Sequence, residues 1–390
     1  MKRTFVWVVA LVMTCSSLTI SQTLDQRARR IQSGVLGIDG HNDSVQHVIY
    51  ENVDLANPLP DGMIDLPRLR EGGIHVPFFA LWVPTYYQGA EAVRRTLDLR
   101  EAMERLFDKH PDQIELATSA RDIQRIVGQH KIAAVLTVEG GHQIDNDLAV
   151  LRMYRRMGVL AMTLTHFRNN DWADSSTDKP QHNGLTDFGK QVVREMNSIG
   201  MMVDISHVSD KTFYDALEVT TKPVIASHSS CRSISDVPRN MTDDMLRALA
   251  RNGGVVGVNF AASFLNQQDA DVLKKAISSE NAMQTSLTGA ALDQFAGKEY
   301  FDGKGEIKVG NATVADAAAC IDHVVKIAGI DHVGIGSDFD GIGLVPHGLE
   351  DVSKLPNLTA ELLQRGYSED DIRKIMGGNF LRVIKEVVGQ

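Results

Sequence analysis

The sequence has few cysteines, few aromatic residues and no long apolar run. Its 390 residues include three cysteines, and aromatic side chains make up 6% of the chain. Three cysteines cannot build the disulfide framework that stabilises many small secreted domains. The apolar stretch near the N-terminus, Phe5–Met13, is shorter than the roughly 20 residues that a membrane-spanning helix needs. We therefore expect neither a disulfide scaffold nor a transmembrane helix.

The sequence is also poor in positive charge. It has 40 lysine and arginine residues against 50 aspartate and glutamate residues, and its net charge is −10. An acidic surface repels phosphate backbones and anionic lipids, which argues against nucleic acid or a membrane as the main partner. Hydrophobic residues make up 43% of the chain, which is enough for a large core. The length fits one large α/β barrel or two to three smaller domains.

The N-terminus has the pattern of an export signal. Two basic residues precede the apolar stretch, and small residues follow it. We predict a signal peptide over residues 1–21, which would place the mature protein in the periplasm or outside the cell. Lipid attachment at Cys15 is the less favoured alternative, because Thr14 fits poorly at the position before a lipidated cysteine.

Two cysteines, Cys231 and Cys320, remain after this cleavage. A disulfide between them is one alternative in an oxidising compartment, and packing in the core is the other. The C-terminal residues carry no hydrophobic tail, so a glycolipid anchor is not expected.

Short apolar or β-branched runs alternate with longer amphipathic segments along the chain. The strand-like runs are Val35–Asp39, Ile74–Val83, Ile132–Val138, Val159–Leu164, Met201–Ser206, Pro223–Ser227, Gly254–Phe260 and His332–Ser337. The helical patterns are Ala90–Lys109, Asp145–Arg156, Thr186–Ile199, Asp210–Val219, Thr242–Arg251, Val314–Ala328, Ala360–Arg365 and Glu369–Val388. Eight strand–helix repeats predict a (β/α)8 (TIM) barrel. We expect one catalytic domain over residues 22–390, with an insertion at about 266–310 after the seventh strand.

Polar residues follow most of these strands. They are His41 and Asp43 after the first, Glu139 after the third, His166 after the fourth, His207 after the fifth, His228 after the sixth and Asp338 after the eighth. In a (β/α)8 barrel these residues would all lie at the C-terminal rim, where barrel enzymes build their active sites. Taken singly, each more often ends a turn or caps a helix. Independent caps do not explain four histidines and three acids at one rim, so the set predicts a metal site.

The residue types indicate a pair of metal ions. The candidate ligands are His41, Asp43, Glu139, His207 and His228. Imidazoles and carboxylates suit zinc or a similar divalent ion, but five ligands exceed what one four-coordinate catalytic ion takes. Two ions that share Glu139 as a bridge account for all five, and such a pair can hold a hydroxide and polarise a carbonyl. Asp338 would act as the general base that accepts the proton of the water and returns it to the leaving amine.

Eight motifs point to one known family. They are DGHND, VEGGH, MTLTHFRNNDWAD, DISHVS, VIASHSS, VPRNMTDDML, GIGSDFDG and GGNFLRV. They run in order from Asp39 to Val383 and together are highly specific, although none is decisive alone. The sequence resembles the membrane (renal) dipeptidase family of binuclear zinc peptidases, within the amidohydrolase-type barrels.

The resemblance implies the same ligand sets and adds two substrate contacts. It matches His41, Asp43 and Glu139 to one zinc ion, Glu139, His207 and His228 to the other, and Asp338 to the acid that transfers protons. His166 matches a histidine that contacts the substrate at the scissile carbonyl. Arg239, in VPRN, matches the arginine that receives the free C-terminal carboxylate of a dipeptide, where a bidentate contact would measure substrate length.

We therefore predict a zinc-dependent dipeptidase whose partner is a small dipeptide with a free C-terminus. The resemblance suggests that L,D-dipeptides are included. An amidase or lactonase on the same metal scaffold is the nearest alternative, and a non-catalytic metal- or ligand-binding barrel is the alternative of another class. The complete residue set, Asp338 included, argues against the second. Homodimer formation remains open.

Three residues near the rim have two interpretations each. Trp82 and Tyr86 either form walls of the substrate pocket or belong to the barrel core. Arg168 either favours an acidic substrate side chain or pairs with Asp171 or Asp174. We favour the pairing, because charged groups that are not fully solvated usually have a local partner.

Overall fold

The computed structural model of the protein describes residues 23–270 and 308–390. The predicted signal peptide with Cys15, and most of the predicted insertion at 266–310, lie outside the described residues. Among the helices of the described part, none combines the length and the apolar character that crossing a membrane requires.

Eight parallel strands close into a barrel. In chain order the strands are β1 (Gly37–Asn42), β2 (Ile74–Trp82), β3 (Ile114–Leu116), β4 (Ile132–Glu139), β5 (Val159–Thr163), β6 (Met202–Asp204), β7 (Ile225–Ser229), β8 (Val255–Val258), β9 (Lys308–Thr313), β10 (Val333–Ile335) and β11 (Leu344–His347). The barrel consists of β1, β2, β4 to β8 and β10, and pairing of β2 with β4 and of β1 with β10 closes it. All eight predicted strand runs fall on these strands, so the predicted barrel is confirmed.

The helices of the described residues surround this barrel. They are α1 (Leu24–Gly34), α2 (Val45–Tyr50), α3 (Leu66–Glu71), α4 (Ala90–Lys109), α5 (Ala120–Gly128), α6 (Leu148–Arg156), α7 (Asp187–Ser198), α8 (Asp210–Val219), α9 (Asp243–Asn252), α10 (Ala262–Leu265), α11 (Val314–Ala328), α12 (Leu355–Gln364), α13 (Glu369–Arg373) and α14 (Asn379–Val387). Side chains of Thr186, Ser209 and Thr242 cap α7, α8 and α9. Each cap accepts a backbone amide of the first turn, which fixes where the helix leaves the rim loop.

The core lies inside the barrel and between the barrel and its helices. Strand β4 is buried at every position, because side chains fill the interior and helices cover the outside. In the strand register, Glu139 lies beside Trp82 of β2 and Thr163 of β5. The last residue of this apolar strand therefore carries a carboxylate into the C-terminal rim.

The structure corrects the predicted helix Glu369–Val388. It consists of α13, a wider π-helical turn over Lys374–Gly378, and α14. A Cβ atom at Gly377 would overlap the backbone carbonyl of Leu36, just before β1. The break brings helix backbone against the start of the first strand, and only glycine allows that approach.

Short elements outside the barrel were not predicted. Strand β3 pairs with the start of β4, and β9 pairs with β11 in a separate two-stranded parallel sheet. Each is too short, or too exposed, to show a clear period of apolar residues.

Candidate metal centre and active site

The structure brings all five predicted metal ligands and Asp338 to one point of the rim. Nε2 of His41 lies 3.5 Å from Asp43 Oδ2, 3.5 Å from Glu139 Oε2 and 3.9 Å from Asp338 Oδ1. The expectation that His41 and Asp43 point to the same place therefore holds. Asp338 is the most exposed of this group, at 15% of its side-chain surface.

Glu139 lies between two groups of imidazoles. Its Oε2 faces His41, whereas its Oε1 lies 3.1 Å from Nε2 of His207 and 3.4 Å from Nε2 of His228. The carboxylate is buried, as are the three rings. Each oxygen of one carboxylate thus has its own imidazole neighbours, as a bridging ligand requires.

Two residues of the site, one proposed ligand and the proposed base, have unusual backbone conformations. His207 has φ 68° and Asp338 has φ 61°, both in the left-handed region. Side chains other than glycine adopt this region at a cost of about 1–2 kcal/mol, and such strain is concentrated at functional sites. The sharp turn after each strand directs the side chain inward over the barrel mouth.

A buried chain of hydrogen bonds fixes the orientation of His228. Ser227 Oγ lies 2.5 Å from Asp204 Oδ2 and 2.7 Å from Nδ1 of His228. Because a carboxylate only accepts, the hydroxyl donates to Asp204 and accepts from Nδ1 of His228. The Nε2 atom of His228 then keeps its lone pair toward the site, which is the tautomer that a metal ligand needs.

The electrostatics of the site follow from this geometry. Burial alone would raise the pKa of Glu139, but His41, His207 and His228 outweigh burial and hold that pKa well below its usual range. Burial opposes a charge on His41, yet Glu139 and Asp43 hold its pKa well above the ordinary value.

Burial has the opposite result at the other two imidazoles. It lowers the pKa of His207 and of His228 well below the ordinary value, with further repulsion chiefly from Arg239 at His207 and from His41 at His228. Neutral imidazoles are the form that binds a metal. Burial, helped by Asp43 and Glu139, raises the pKa of Asp338 to about 7.

The donor set fits a cation. Nε2 of His41 is buried and has no hydrogen-bond partner within the described part of the chain. The Nε2 atoms of His207 and His228 lie 3.0 Å apart, so two lone pairs face each other unless a proton or a cation separates them. Three groups of donors lie close enough to hold an ion: His41, Glu139 and His228; Glu139, His166 and His207; and His41, Asp43 and Asp338.

The two predicted substrate contacts lie beside the ligands. The His166 ring centroid is 4.4 Å from that of His207 and 5.6 Å from that of Trp82, so Trp82 borders the site. Arg239 is 3% exposed and donates through Nη2 to the carbonyl of His228 at 3.1 Å. Its Nε and Nη1 atoms have no hydrogen-bond partner among the described residues. A buried guanidinium with two unused donors is suited to an anionic ligand.

The sequence argument missed Asn259, which follows β8. Its side chain is buried, and Nδ2 donates to Asp338 Oδ2 at 2.7 Å. Its Oδ1 accepts the backbone amide of Ala261 at 2.6 Å, which fixes the amide orientation. A polar residue at the end of the run Gly254–Phe260 was the available signal, and it continues the pattern of the other strands.

The structure places Arg168 beside an aspartate that is not one of the two predicted partners. Arg168 lies 3.7 Å from Asp178, whereas Asp174 accepts backbone amides of residues 181, 182 and 184 and Asp171 accepts Asn146. The carboxylate of Asp174 closes its own loop by accepting these backbone amides, and the sequence alone does not indicate that role.

Comparison with known proteins identifies the family. Residues 25–389 match the family model described as membrane dipeptidase, peptidase family M19. The chain belongs to this family. It is 36% identical over 365 residues to dipeptidase tcpJ of Claviceps purpurea, covering 90% of this chain and 76% of that protein. It is 36% identical over 361 residues to dipeptidase 3 of Mus musculus, covering 90% of this chain but 64% of the mouse protein.

The fold of the M19 family is also shared with solved structures. The probable dipeptidase PvdM of Pseudomonas aeruginosa superposes with a TM-score of 0.77 at 27% identity, covering 94% of this chain and 98% of that one. The predicted family and the prediction of a metallo-dipeptidase are therefore confirmed. The geometry places the predicted ligands together, and their individual roles belong to the proposal below.

Proposed function

We propose that this M19 protein is a zinc-dependent dipeptidase with two zinc ions per chain. The observation that carries the proposal is the position of Glu139, whose two oxygens face different imidazoles. His41, Asp43 and Glu139 would hold one ion, and Glu139, His207 and His228 the other. When bound, the zinc pair activates a water molecule and polarises the scissile carbonyl.

The chain's own residues move the proton. Asp338 accepts the proton of the attacking water on Oδ1, the oxygen on the side of His41, and then delivers it to the leaving amine. Asn259 occupies the other oxygen, Oδ2, and so fixes which side of the carboxylate reacts.

Two further residues orient the dipeptide. Arg239 receives the C-terminal carboxylate through its unused Nε and Nη1 atoms, which makes a free C-terminus part of recognition. His166 contacts the scissile carbonyl and stabilises the negative charge that develops on its oxygen. Trp82, 5.6 Å from His166 between ring centroids, forms a wall of the same space.

The proposal extends to L,D-dipeptides and to export. A metallopeptidase from Rhodobacter sphaeroides with the same fold, at a TM-score of 0.74 and 23% identity, is liganded with a phosphinate mimic of L-Ala-D-Ala. That likeness supports an M19 site that accepts a D-residue.

The basic and apolar N-terminal residues support a periplasmic or secreted enzyme. Homodimer formation stays a prediction.

Metal analysis together with a substrate screen tests the proposal. Protein reconstituted with zinc and desalted should contain two zinc ions per chain, and Glu139→Gln should contain one or fewer. Wild-type protein should hydrolyse L-Ala-L-Ala and L-Ala-D-Ala. One zinc ion per wild-type chain, or full zinc content in Glu139→Gln, would contradict the bridge.

A paired comparison of substrates tests the role of Arg239. Wild type should prefer a dipeptide with a free C-terminus to its C-terminal amide mainly through KM, by on the order of 100-fold. Arg239→Leu should lose most of this preference, because the carboxylate then has no partner. Preference for lactones or non-peptide amides, with no effect of Arg239→Leu, would favour the alternative hydrolase.

A further inference from the structure

Two buried thiols are in contact near the active site. The Sγ atoms of Cys231 and Cys320 lie 2.8 Å apart, and both residues are fully buried. Cys231 follows β7 three residues after His228, whereas Cys320 lies on the buried face of α11. The contact therefore joins the active-site rim to an outer helix that is 89 positions away in the chain.

Cys231 lies at the base of the loop that carries Arg239. This arginine loop, residues 230–241, closes through a backbone bridge between Cys231 and Met241, with the Met241 amide donating to the Ser230 carbonyl at 2.8 Å. A second contact supports the same docking, since Ser233 Oγ lies 3.0 Å from Nε2 of His323 on α11. The loop thus rests on one face of α11 at two successive points.

We propose that Cys231 and Cys320 form a disulfide that fixes the arginine loop to α11. The oxidant is an external disulfide that reacts by thiol–disulfide exchange, such as oxidised glutathione or the disulfide of an oxidising protein. One cysteine thiolate attacks that disulfide, forms a mixed disulfide and releases one thiol. The second thiolate displaces the other thiol as the Cys231–Cys320 bond forms. Two protons and two electrons thereby pass from the cysteines to the oxidant.

Burial determines when this exchange takes place. In the folded chain both sulfur atoms are covered, and the contact with Cys320, together with burial, raises the pKa of Cys231 well above its ordinary value. Thiolates that are covered and rarely formed react slowly with an external disulfide. The bond therefore forms while α11 docks, in a compartment that contains the oxidant, which agrees with the predicted export.

The disulfide has a consequence for substrate binding, which rests on the proposed function of Arg239. Arg239 lies eight residues after Cys231 within the arginine loop, and its guanidinium position depends on how the loop is held. A cross-link at the base limits loop displacement and so preserves the carboxylate contact. Its loss should raise KM more than it lowers kcat.

Peptide mapping tests the bond independently of activity. The chain is produced in a host that exports it to an oxidising compartment. It is then denatured in the presence of an alkylating reagent, which blocks free thiols, digested, and analysed by mass spectrometry. We expect a cross-linked Cys231–Cys320 peptide two hydrogen atoms lighter than the two separate peptides. Alkylation of both cysteines without prior reduction, or cross-linking between chains, would overturn the proposal.

Kinetics test the effect on the arginine loop. The double variant C231A/C320A should melt several degrees lower than wild type and show a KM for L-Ala-L-Ala about three times higher, with kcat within twofold. The control A318S alters a neighbouring buried position of α11 without touching the cysteines. An unchanged KM in C231A/C320A would refute the link to Arg239, and failure of wild type to cleave dipeptides would refute the proposed function instead.

Discussion

The two carboxylate oxygens of Asp338 have different neighbours. Oδ2 accepts from Asn259 at 2.7 Å, and Oδ1 lies 3.9 Å from His41. Asp338→Asn keeps the shape of the side chain but removes its capacity to accept a proton. We expect a fall in kcat of roughly 10²- to 10⁴-fold with two zinc ions still bound.

Steady-state kinetics and zinc analysis of the same preparation check this prediction. Asp331→Asn is the matched control, because Asp331 pairs with Lys374 at the surface, 2.7 Å away, and precedes β10, at the opposite end of that strand from Asp338. Asp338→Asn with the turnover of the parent enzyme would show that another group transfers the proton.

Asn259 holds the reacting carboxylate, and its side-chain hydrogen bonds among the described residues go to Asp338 and Ala261 rather than to a proposed ligand. Asn259→Leu removes the hydrogen bond to Oδ2 and lets Asp338 rotate. We expect kcat to fall about tenfold with KM nearly unchanged, and Asn259→Gln to restore part of the loss. Asn357→Leu, at an exposed position of α12, is the control for the exchange itself. Thermal stability is measured for all three variants. If kcat falls in Asn259→Leu and Asn259→Gln only in proportion to their loss of thermal stability, as in Asn357→Leu, then Asn259 has a merely structural role.

The sequence predicts ligands better than it predicts the residues that hold them. His41, Glu139 and His228 were identifiable because each ends an apolar run, and strand ends meet at one rim. Asn259 also ends a run, but its partner Asp338 follows a different strand, and nothing in either segment indicates that contact. The position of Arg239 came from resemblance alone, because its burial depends on a loop fold.

At the scale of elements, long periodic segments were predicted and interruptions were not. Helices α4, α8 and α11 match their predicted bounds, because a stripe of apolar residues and a clear end define each one. The break at Lys374–Gly378 depends on the distance between Gly377 and Leu36, which only the packed barrel sets. Tertiary packing decides such a break, and local sequence does not contain it.

The loop after β10 offers a test of how closely an element is fitted to the site. A Cβ atom at Gly341 would overlap Asp43 Oδ2 and lie 2.9 Å from Asp338 Oδ1, whereas one at Gly343 would meet nothing within 4 Å. Gly341→Ala should therefore displace both carboxylates and lower kcat/KM at least tenfold, with weaker retention of zinc. Gly343→Ala should stay within twofold of wild type.

Chelator competition and circular dichroism complete that test. Gly341→Ala should keep the far-ultraviolet spectrum of wild type, since the clash is confined to two side chains. Identical zinc retention and activity in Gly341→Ala and Gly343→Ala would show that the loop moves freely and does not set the ligand positions.

At the scale of the whole molecule, the site connects strands from opposite sides of the barrel. The proposed ligands come from β1, β4, the turn after β6, and β7, and Asp338 follows β10. The remaining strands close the ring by backbone pairing. A bound cation therefore links parts of the barrel that are far apart in the chain, and the buried negative charge of Glu139 gains a partner.

Removal of the metal should thus lower the stability of the entire barrel. A ligand that binds only the folded state at a thousandfold excess over its Kd contributes about 4 kcal/mol, so we expect Tm to fall by roughly 5–10 °C on chelation. Differential scanning calorimetry of zinc-loaded, chelated and zinc-restored protein measures this change. Glu139→Gln should show a smaller difference between the first two states than wild type, because it has lost the shared ligand. An equal Tm for loaded and chelated wild type would mean that the metal does not contribute to the stability of the barrel. The strand ends would then be held by their own contacts, such as the hydrogen bonds of Ser337, after β10, to Asp39 of β1.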